Sequence, residues 1–208
     1  MDKNIFHATP DDISAYITQI NAWKEGKLKP TDFVKVGKPG TILKALNVSD
    51  TEIIIEQSTL GKVTSPETKK INGSKGHDIP LGIIKSIPNY LNDPLMVLKS
   101  RTQKDALVIF TNVCDRKKKS ILIAIHLDKQ KNRIIVNEIA SVYGKDNAVS
   151  FVEENIKEGN LLYLDKKRSL KWGTRRGLQL STLVHPSSGY INNVLCNEDI
   201  VNGKYFSV

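Results

Sequence analysis

The chain has 208 residues, of which 39% are hydrophobic and 25% are charged, and its formal net charge is +9 at pH 7. This composition excludes disorder throughout and suffices for one sizeable core, whether the chain stands alone or is a domain cut from a larger protein. The longest apolar runs are too short to span a membrane, and residues 1–12 contain no apolar signal segment, so the sequence predicts a soluble protein without membrane contact.

Cysteine and histidine are sparse. Cys114 and Cys196 stand far apart with no CxxC pair, and the four histidines show no HxxxH or HExxH spacing. The sequence therefore predicts reduced cysteines and no metal site.

The first predicted element is a helix that begins at Thr9-Pro10, with Thr9 as the N-cap and Pro10 at the first helical position. Apolar side chains repeat at helical spacing up to Gly26, which predicts one packing face. Short elements follow: a strand at 33–36, a helix at 41–46, a strand at 52–56 and a helix at 58–63.

Residues 64–78 are rich in Pro, Gly, Ser and Lys and are predicted to form a loop, which carries His77 just before the next helix. His77 is either an exposed loop histidine or an imidazole held near a helix start, where it can exchange protons. Two short helices are predicted next, at 80–87 and 88–91, followed by a strand at 95–99.

Three strands rich in β-branched residues are predicted at 106–114, 121–127 and 133–143. Their connections, 115–119 and 128–132, are too short for a crossover helix, so the strands should form an antiparallel meander. The turns are strongly cationic, which suits a polyanionic ligand, although loop lysines are often only solvated. His126 lies inside an apolar run and is predicted to be a core histidine.

The remaining predicted elements are a helix from Asp146-Asn147 to Gly159 and a strand at 161–164. Residues 166–176 then hold six cations around Trp172. This run is either a groove for single-stranded nucleic acid or a solvated face with one docking tryptophan. The sequence suggests an N-terminal helical extension (1–30), a main domain (31–181) and a tail (182–208) without an assigned role.

Several segments occur in a characteristic order: GKPGTILKALNV, STLGKV, a histidine before SIPNYLNDP, LVIFTNVCDRKKKSILIAIHLD, VNEIASVYGKD and NLLYLDKKRS. Over about residues 31–181 this set resembles the phage MuF-type C-terminal domain of phage polyvalent proteins and polymorphic toxins. That family is placed among the barnase/EndoU/colicin/RelE-like nucleases. The resemblance implies an α+β fold, with N-terminal helices followed by a mainly antiparallel sheet. It also implies metal-independent, cofactor-free cleavage of RNA or tRNA, often as a toxin.

The resemblance also implies site residues. His77 would be the general base or acid, Ser141 and Tyr143 would orient the phosphate or donate a proton, and Lys145 would neutralise charge. Strict strand alternation predicts that Glu138 lies on the sheet face opposite Ser141. The residues expected to bind nucleic acid are Lys62, Lys117, Lys118, Lys166, Lys167, Arg175 and Arg176.

Two functions follow from these expectations. The first is a ribonuclease that acts by 2'-hydroxyl attack as a phage-encoded or polymorphic toxin, in the cytoplasm of the producing or target bacterial cell, with RNA and an immunity protein as partners. The alternative is a non-catalytic module that binds nucleic acid or a partner protein. Convergence of His77, Ser141 and Tyr143 on one cleft is required by the first function and not by the second.

Overall fold

The computed structural model describes residues 8–71, 73–185 and 194–202, and within these ranges the chain forms ten strands and nine helices. The strands are β1 (Val34–Gly37), β2 (Ile53–Ile55), β3 (Lys70–Ile71), β4 (Ser74–Lys75), β5 (Met96–Lys99), β6 (Ala106–Cys114), β7 (Ser120–Lys131), β8 (Ile134–Lys145), β9 (Leu161–Leu164) and β10 (Leu195–Cys196). The helices are α1 (Pro10–Lys24), α2 (Thr41–Ala45), α3 (Gln57–Thr64), α4 (Leu81–Lys85), α5 (Ile87–Asn92), α6 (Ala148–Lys157), α7 (Lys166–Thr174), α8 (Leu180–Leu183) and α9 (Asn197–Val201).

Eight of these strands form one mixed sheet in the order β1-β2-β8-β7-β6-β5-β9-β10, while β3 and β4 pair separately. All pairings in the large sheet are antiparallel except β2 with β8 and β9 with β10. The expected α+β class is confirmed in this form. No helix among the described residues is long and apolar enough to cross a membrane.

The meander prediction is confirmed, because β6, β7 and β8 are antiparallel neighbours in that order. The predicted loop at 128–132 is wrong, since β7 continues to Lys131 and the turn consists of Asn132 and Arg133, both with positive φ. Between His126 and Lys129, β7 contains a β-bulge in which Asp128, with φ 50°, is the extra residue. The buried Asn137 accepts a hydrogen bond from the Asp128 amide at 3.3 Å, so a polar side chain stabilises the bulge.

Both faces of the large sheet carry helices. On β7, Ile121, Ile123 and Ile125 point into a first core that α1 to α5 cover. Leu122 points into a second core, which α6, α7 and α8 cover. The second layer of helices leaves Ala124 and His126 uncovered, and this opening becomes a pocket.

Both ends of the described chain pack on the first core. Thr9 caps α1, as expected, and the Tyr16 hydroxyl donates to the Ile84 carbonyl at 2.9 Å. Near the other end, Leu195 and Ile200 join the same core. The division at residues 30 and 181 stays a prediction.

Most of the cationic run at 166–176 forms a helix, α7, and the tryptophan within it is largely buried. Trp172 is only 6% exposed and packs edge-on against Phe110 in the second core, with ring centroids 5.0 Å apart. Asp165 caps the helix by accepting from the Arg168 amide at 2.9 Å. Trp172 is therefore the docking tryptophan, and the exposed cations lie around it.

Arg168 joins α7 to Asp93, the residue that follows α5. Its guanidinium donates to both carboxylate oxygens of Asp93, at 2.8 and 2.5 Å, and its Nε donates to Asp165 at 2.5 Å. We expect Arg168→Lys to lower the free energy of unfolding by about 1 to 3 kcal/mol, because an ammonium cannot make these forked bonds. Urea denaturation measures the loss, with Arg175→Lys, at the exposed C-cap of the same helix, as the matched control. Equal stability of the two variants would contradict the structural role of Arg168.

Candidate functional site

The site forms at an unpaired stretch of the β8 edge. β2 pairs with β8 only at Asn137 and Glu138, so no strand of the described residues pairs with the later residues of that edge. The C-terminal end of α3 and the segment after it lie there instead. The His77 amide donates to the Lys62 carbonyl at 3.3 Å and the Ile79 amide to the Val63 carbonyl at 2.9 Å, so α3 holds the segment in place.

Gly76 brings His77 close to the preceding chain. A Cβ atom built on Gly76 would lie less than 3.0 Å from the carbonyl oxygens of Ser65 and Pro66, so no larger residue fits without moving the backbone. The Gly76 amide also donates to the Lys69 carbonyl at 2.9 Å. The segment predicted to be a loop therefore contains the small β3–β4 hairpin and packs tightly before His77.

The imidazole of His77 has a defined orientation. Its Nδ1 lies 2.7 Å from the Val142 carbonyl oxygen, and because a carbonyl can only accept, Nδ1 carries the proton. The Ser141 Oγ lies 3.4 Å from the same nitrogen. Nε2 therefore remains available for a ligand or a proton, and it has no hydrogen-bond partner among the described residues.

Tyr143 stands beside His77. The two rings meet edge-on, with centroids 6.1 Å apart and planes at 74°. Burial raises the pKa of the Tyr143 phenol above its usual value, so the hydroxyl stays protonated at neutral pH. No described residue forms a hydrogen bond with this hydroxyl, which leaves it free to donate to a ligand.

A bulge in β8 sets which side chains share this face. Ser141 pairs with Ala124 but Ile139 pairs with Ile125, so Ala140 is an extra residue. Ile139 and Val142 consequently both point into the first core although they are three residues apart.

The expected position of Glu138 is wrong for this reason. Glu138 pairs with His126, whose side chain lies on the same open face as Ser141. Its carboxylate forms an ion pair with Lys131 at 3.2 Å. On β8, Glu138 lies four residues before Val142, whose carbonyl contacts His77. Glu138 is therefore on the face of Ser141 but outside the site.

His77 and Tyr143 line a cavity of about 390 Å³, here called the edge pocket. Its other lining residues are Glu67, Thr68, Lys70, Lys75, Gly76 and Gly144. The pocket thus combines an imidazole, a protonated phenol, two ammonium groups and one carboxylate. These are the groups that proton transfer and charge neutralisation at a phosphate require.

Glu67 is a site residue that sequence reasoning missed. Its carboxylate lies 2.7 Å from Lys117 Nζ and 3.8 Å from Lys119 Nζ. The hydrogen bond from Lys117 lowers the pKa of Glu67, so the carboxylate is ionised at neutral pH. It lies in a turn ten residues before His77 and belongs to no motif, so the sequence alone gives no signal for it.

A second cavity, of about 870 Å³, lies on the uncovered face of the sheet and is here called the face pocket. Ser141, Tyr143 and Lys145 all line it, and Tyr143 therefore borders both pockets. The Lys145 Nζ sits 4.8 Å from the centre of the Phe151 ring. His126 also lines the face pocket, where burial lowers its pKa, so the expectation of a core histidine is wrong.

The residues expected to bind nucleic acid are dispersed. The backbone carbonyl of Lys62 accepts a hydrogen bond from the His77 amide, and Lys117 forms an ion pair with Glu67 at the edge pocket. Arg176 stacks over Trp172 with its guanidinium carbon 5.0 Å from the ring centre. Four expected residues are exposed and form no ion pair with a described residue: Lys118, Lys166, Lys167 and Arg175.

The fold and site thus define an α+β domain with a histidine-centred pocket at the edge of a mostly antiparallel sheet. Residues 68–171, half of the chain, match the family model of the phage MuF C-terminal domain. The chain belongs to this family. The matched range includes His77, Ser141, Tyr143 and Lys145. The chain matches no curated protein and no solved structure.

Proposed function

We propose that this domain is a metal-independent ribonuclease that cleaves RNA by attack of a ribose 2'-hydroxyl on the adjacent phosphate. The observation that supports it most is the orientation of His77, whose Nδ1 proton is held by the Val142 carbonyl while Nε2 stays available beside Tyr143 and two lysines. Membership of the phage MuF C-terminal family supports the proposal through the nuclease chemistry that the resemblance to this family implies.

The groups have distinct roles in the proposed reaction. Nε2 of neutral His77 takes the proton of the 2'-hydroxyl, whose oxygen then attacks phosphorus. The bond to the 5'-oxygen breaks, a 2',3'-cyclic phosphate forms, and the leaving oxygen takes up a proton. The Tyr143 phenol donates to a phosphate oxygen, and Lys70 and Lys75 neutralise the charge of the pentacoordinate phosphate. Glu67 stabilises the imidazolium that forms at His77.

Ser141 has a supporting role in this proposal. Its hydroxyl lies beside Nδ1, the nitrogen that carries the proton, so it is in position to help orient the imidazole. Lys145 lies in the face pocket, where it attracts phosphates next to the scissile one.

The direct test is incubation of the purified domain with total RNA, including tRNA, in the presence of EDTA. We expect cleavage with 2',3'-cyclic phosphate and 5'-hydroxyl ends. Intact RNA under these conditions, or products with 5'-phosphate ends, would contradict the proposal.

A ribonuclease of this kind in a phage or mobile-element protein would act as a toxin or effector in bacterial cytoplasm. A cell that makes it would then need an immunity protein, and the net charge of +9 favours an acidic one. Expression of the domain in bacteria should stop growth, and co-expression of an acidic neighbouring gene product should restore it.

Replacement of Tyr143 by phenylalanine should lower the single-turnover rate about tenfold to hundredfold, because one hydrogen bond to a charged phosphate is lost. The ring remains, so the edge-on contact with His77 should persist. The wild type should keep its rate at alkaline pH until the raised pKa of Tyr143 is approached. Tyr90→Phe, the same change outside both pockets, is the control, and equal rates for the two variants would exclude Tyr143 as a donor.

Binding of single-stranded RNA should weaken steeply with salt, since exposed cations act on phosphates through counterion release. Replacing both Lys166 and Lys167 by glutamine should reduce the slope of log affinity against log salt by up to about 0.7 per lost phosphate contact. Fluorescence anisotropy measures this slope, and an affinity that does not change with salt would remove the electrostatic argument.

The unpaired cations of α7 and its C-cap also favour the alternative function, a module that binds nucleic acid without cutting it. Lys166, Lys167 and Arg175 lie outside the edge pocket, so they can hold a polyanion whether or not His77 is catalytic. Salt-sensitive binding together with intact RNA in the EDTA assay would select this alternative.

A further inference from the structure

We propose that the face pocket is the subsite for the nucleosides that flank the scissile phosphate of a single-stranded RNA. This inference rests on the proposed function, because it assigns a place to the part of the substrate that does not react. The face pocket is larger than the edge pocket, and its volume of about 870 Å³ lies in the range of small-molecule binding sites.

The two pockets are connected through shared residues. Tyr143 borders both, and Ser141, which lines the face pocket, approaches the His77 imidazole to 3.4 Å. A phosphate at Nε2 of His77 therefore has its neighbouring sugar and base at the entrance of the face pocket.

The chemistry of the face pocket suits a heterocycle and its ribose. The floor is formed by small apolar side chains, among them Ala106, Ala124 and Ala140, which leave room for a flat ring against the sheet. Phe151 and Tyr143 supply aromatic surface, and aromatic side chains stack bases without strong sequence preference. Polar side chains on the rim can bond ribose hydroxyls and base edges.

Charge in the face pocket favours a strand longer than one nucleotide. Arg101 is neutralised by Glu154 and Glu158, at 2.8 and 2.7 Å, whereas Lys99 and Lys145 form no ion pair with any described residue. By strand register Lys99 shares the sheet face of Leu107, which points into the first core, whereas Lys145 shares the face of Tyr143. The unpaired ammonium group of Lys145 can therefore hold the phosphate next to the scissile one.

The test measures binding separately from cleavage. The probes are uridine, cytidine, adenosine and guanosine 3'-monophosphates, inorganic phosphate, and a labelled 2'-O-methyl RNA oligonucleotide that cannot be cut by 2'-hydroxyl attack. In NMR titrations we expect inorganic phosphate to shift signals around Gly76 and His77 only. At least one nucleotide should also shift Ala124, Ala140 and Phe151.

Ala124→Phe fills the face pocket and should weaken oligonucleotide binding at least tenfold. Gln130→Phe, an exposed position on the same strand outside both pockets, should bind like the wild type. Thermal unfolding of both variants checks that they fold, and the wild-type titrations stand if one does not. Unchanged binding by Ala124→Phe, nucleotide shifts confined to the edge pocket, or no binding of any probe would overturn the subsite.

The two proposals can fail separately. If a variant without the His77 imidazole cuts RNA at the wild-type rate while Ala124→Phe still weakens binding, the catalytic role of His77 fails and the nucleoside subsite stands. If the wild type cuts RNA in EDTA but Ala124→Phe binds normally, the proposed function stands and the subsite is wrong.

Discussion

His77→Asn is expected to lower the rate of RNA cleavage about a hundredfold to ten-thousandfold, the range observed when a general acid or base is removed. The asparagine amide nitrogen is attached to Cγ, as Nδ1 is, so it can still donate to the Val142 carbonyl that lies 2.7 Å from Nδ1. What is lost is Nε2, the only ring nitrogen free to exchange a proton. Single-turnover cleavage of a labelled RNA measures the effect.

Two companion variants separate the lost base from a lost structural bond. His77→Ala removes the donor to Val142 as well, and should lower the free energy of unfolding by about 1 kcal/mol in addition to abolishing cleavage. His185→Asn makes the same substitution at an exposed histidine outside both pockets and should leave the rate unchanged. A wild-type rate for His77→Asn would show that the imidazole does not take part in the reaction.

Gly76→Ala is expected to lower both stability and activity. The added Cβ would overlap the carbonyl oxygens of Ser65 and Pro66, so the backbone before His77 must shift, and overpacking of this kind costs about 1 to 3 kcal/mol. A displacement of about 1 Å in a catalytic group can reduce the rate about a hundredfold. Urea denaturation and single-turnover cleavage measure the two effects.

Gly61→Ala is the matched control for this prediction. Gly61 lies in α3, a Cβ built on it meets nothing within 4 Å, and alanine favours a helix over glycine by up to about 1 kcal/mol. This variant should be as active as the wild type and at least as stable. If Gly76→Ala behaved in the same way, the close packing before His77 would not position the imidazole.

Local patterns predicted the elements whose signals are local. Thr9 and Pro10 marked the start of α1, and the short connections of the meander required β6, β7 and β8 to be antiparallel neighbours. The same reasoning failed where the chain departs from regular alternation. The bulge at Asp128 lets β7 continue through residues predicted to form a loop. The bulge at Ala140 places Glu138 on the same sheet face as Ser141. Neither bulge depends on a residue type that marks a bulge in the sequence.

The candidate site was predictable only in part. The residue types at 77, 141 and 143 were selected through the family resemblance, and in the fold these three side chains do lie together. The bond from His77 to Val142 joins residues 65 apart, and Glu67 depends on Lys117 and Lys119, about 50 residues away, so one sequence carries no signal for either contact. The sequence left open whether the cations at 166–176 are free, and the bond from Arg168 to Asp93, 75 residues away, carries no signal in one sequence either.

The most direct test of the central claim uses a DNA oligonucleotide that contains a single ribonucleotide, incubated with the domain in EDTA. If a 2'-hydroxyl is the nucleophile and His77 its base, the wild type should cut only after the ribonucleotide and leave a 2',3'-cyclic phosphate, and His77→Asn should leave the strand intact on the same timescale. Cutting at deoxynucleotides, or equal cutting by His77→Asn, would contradict the mechanism proposed for the edge pocket.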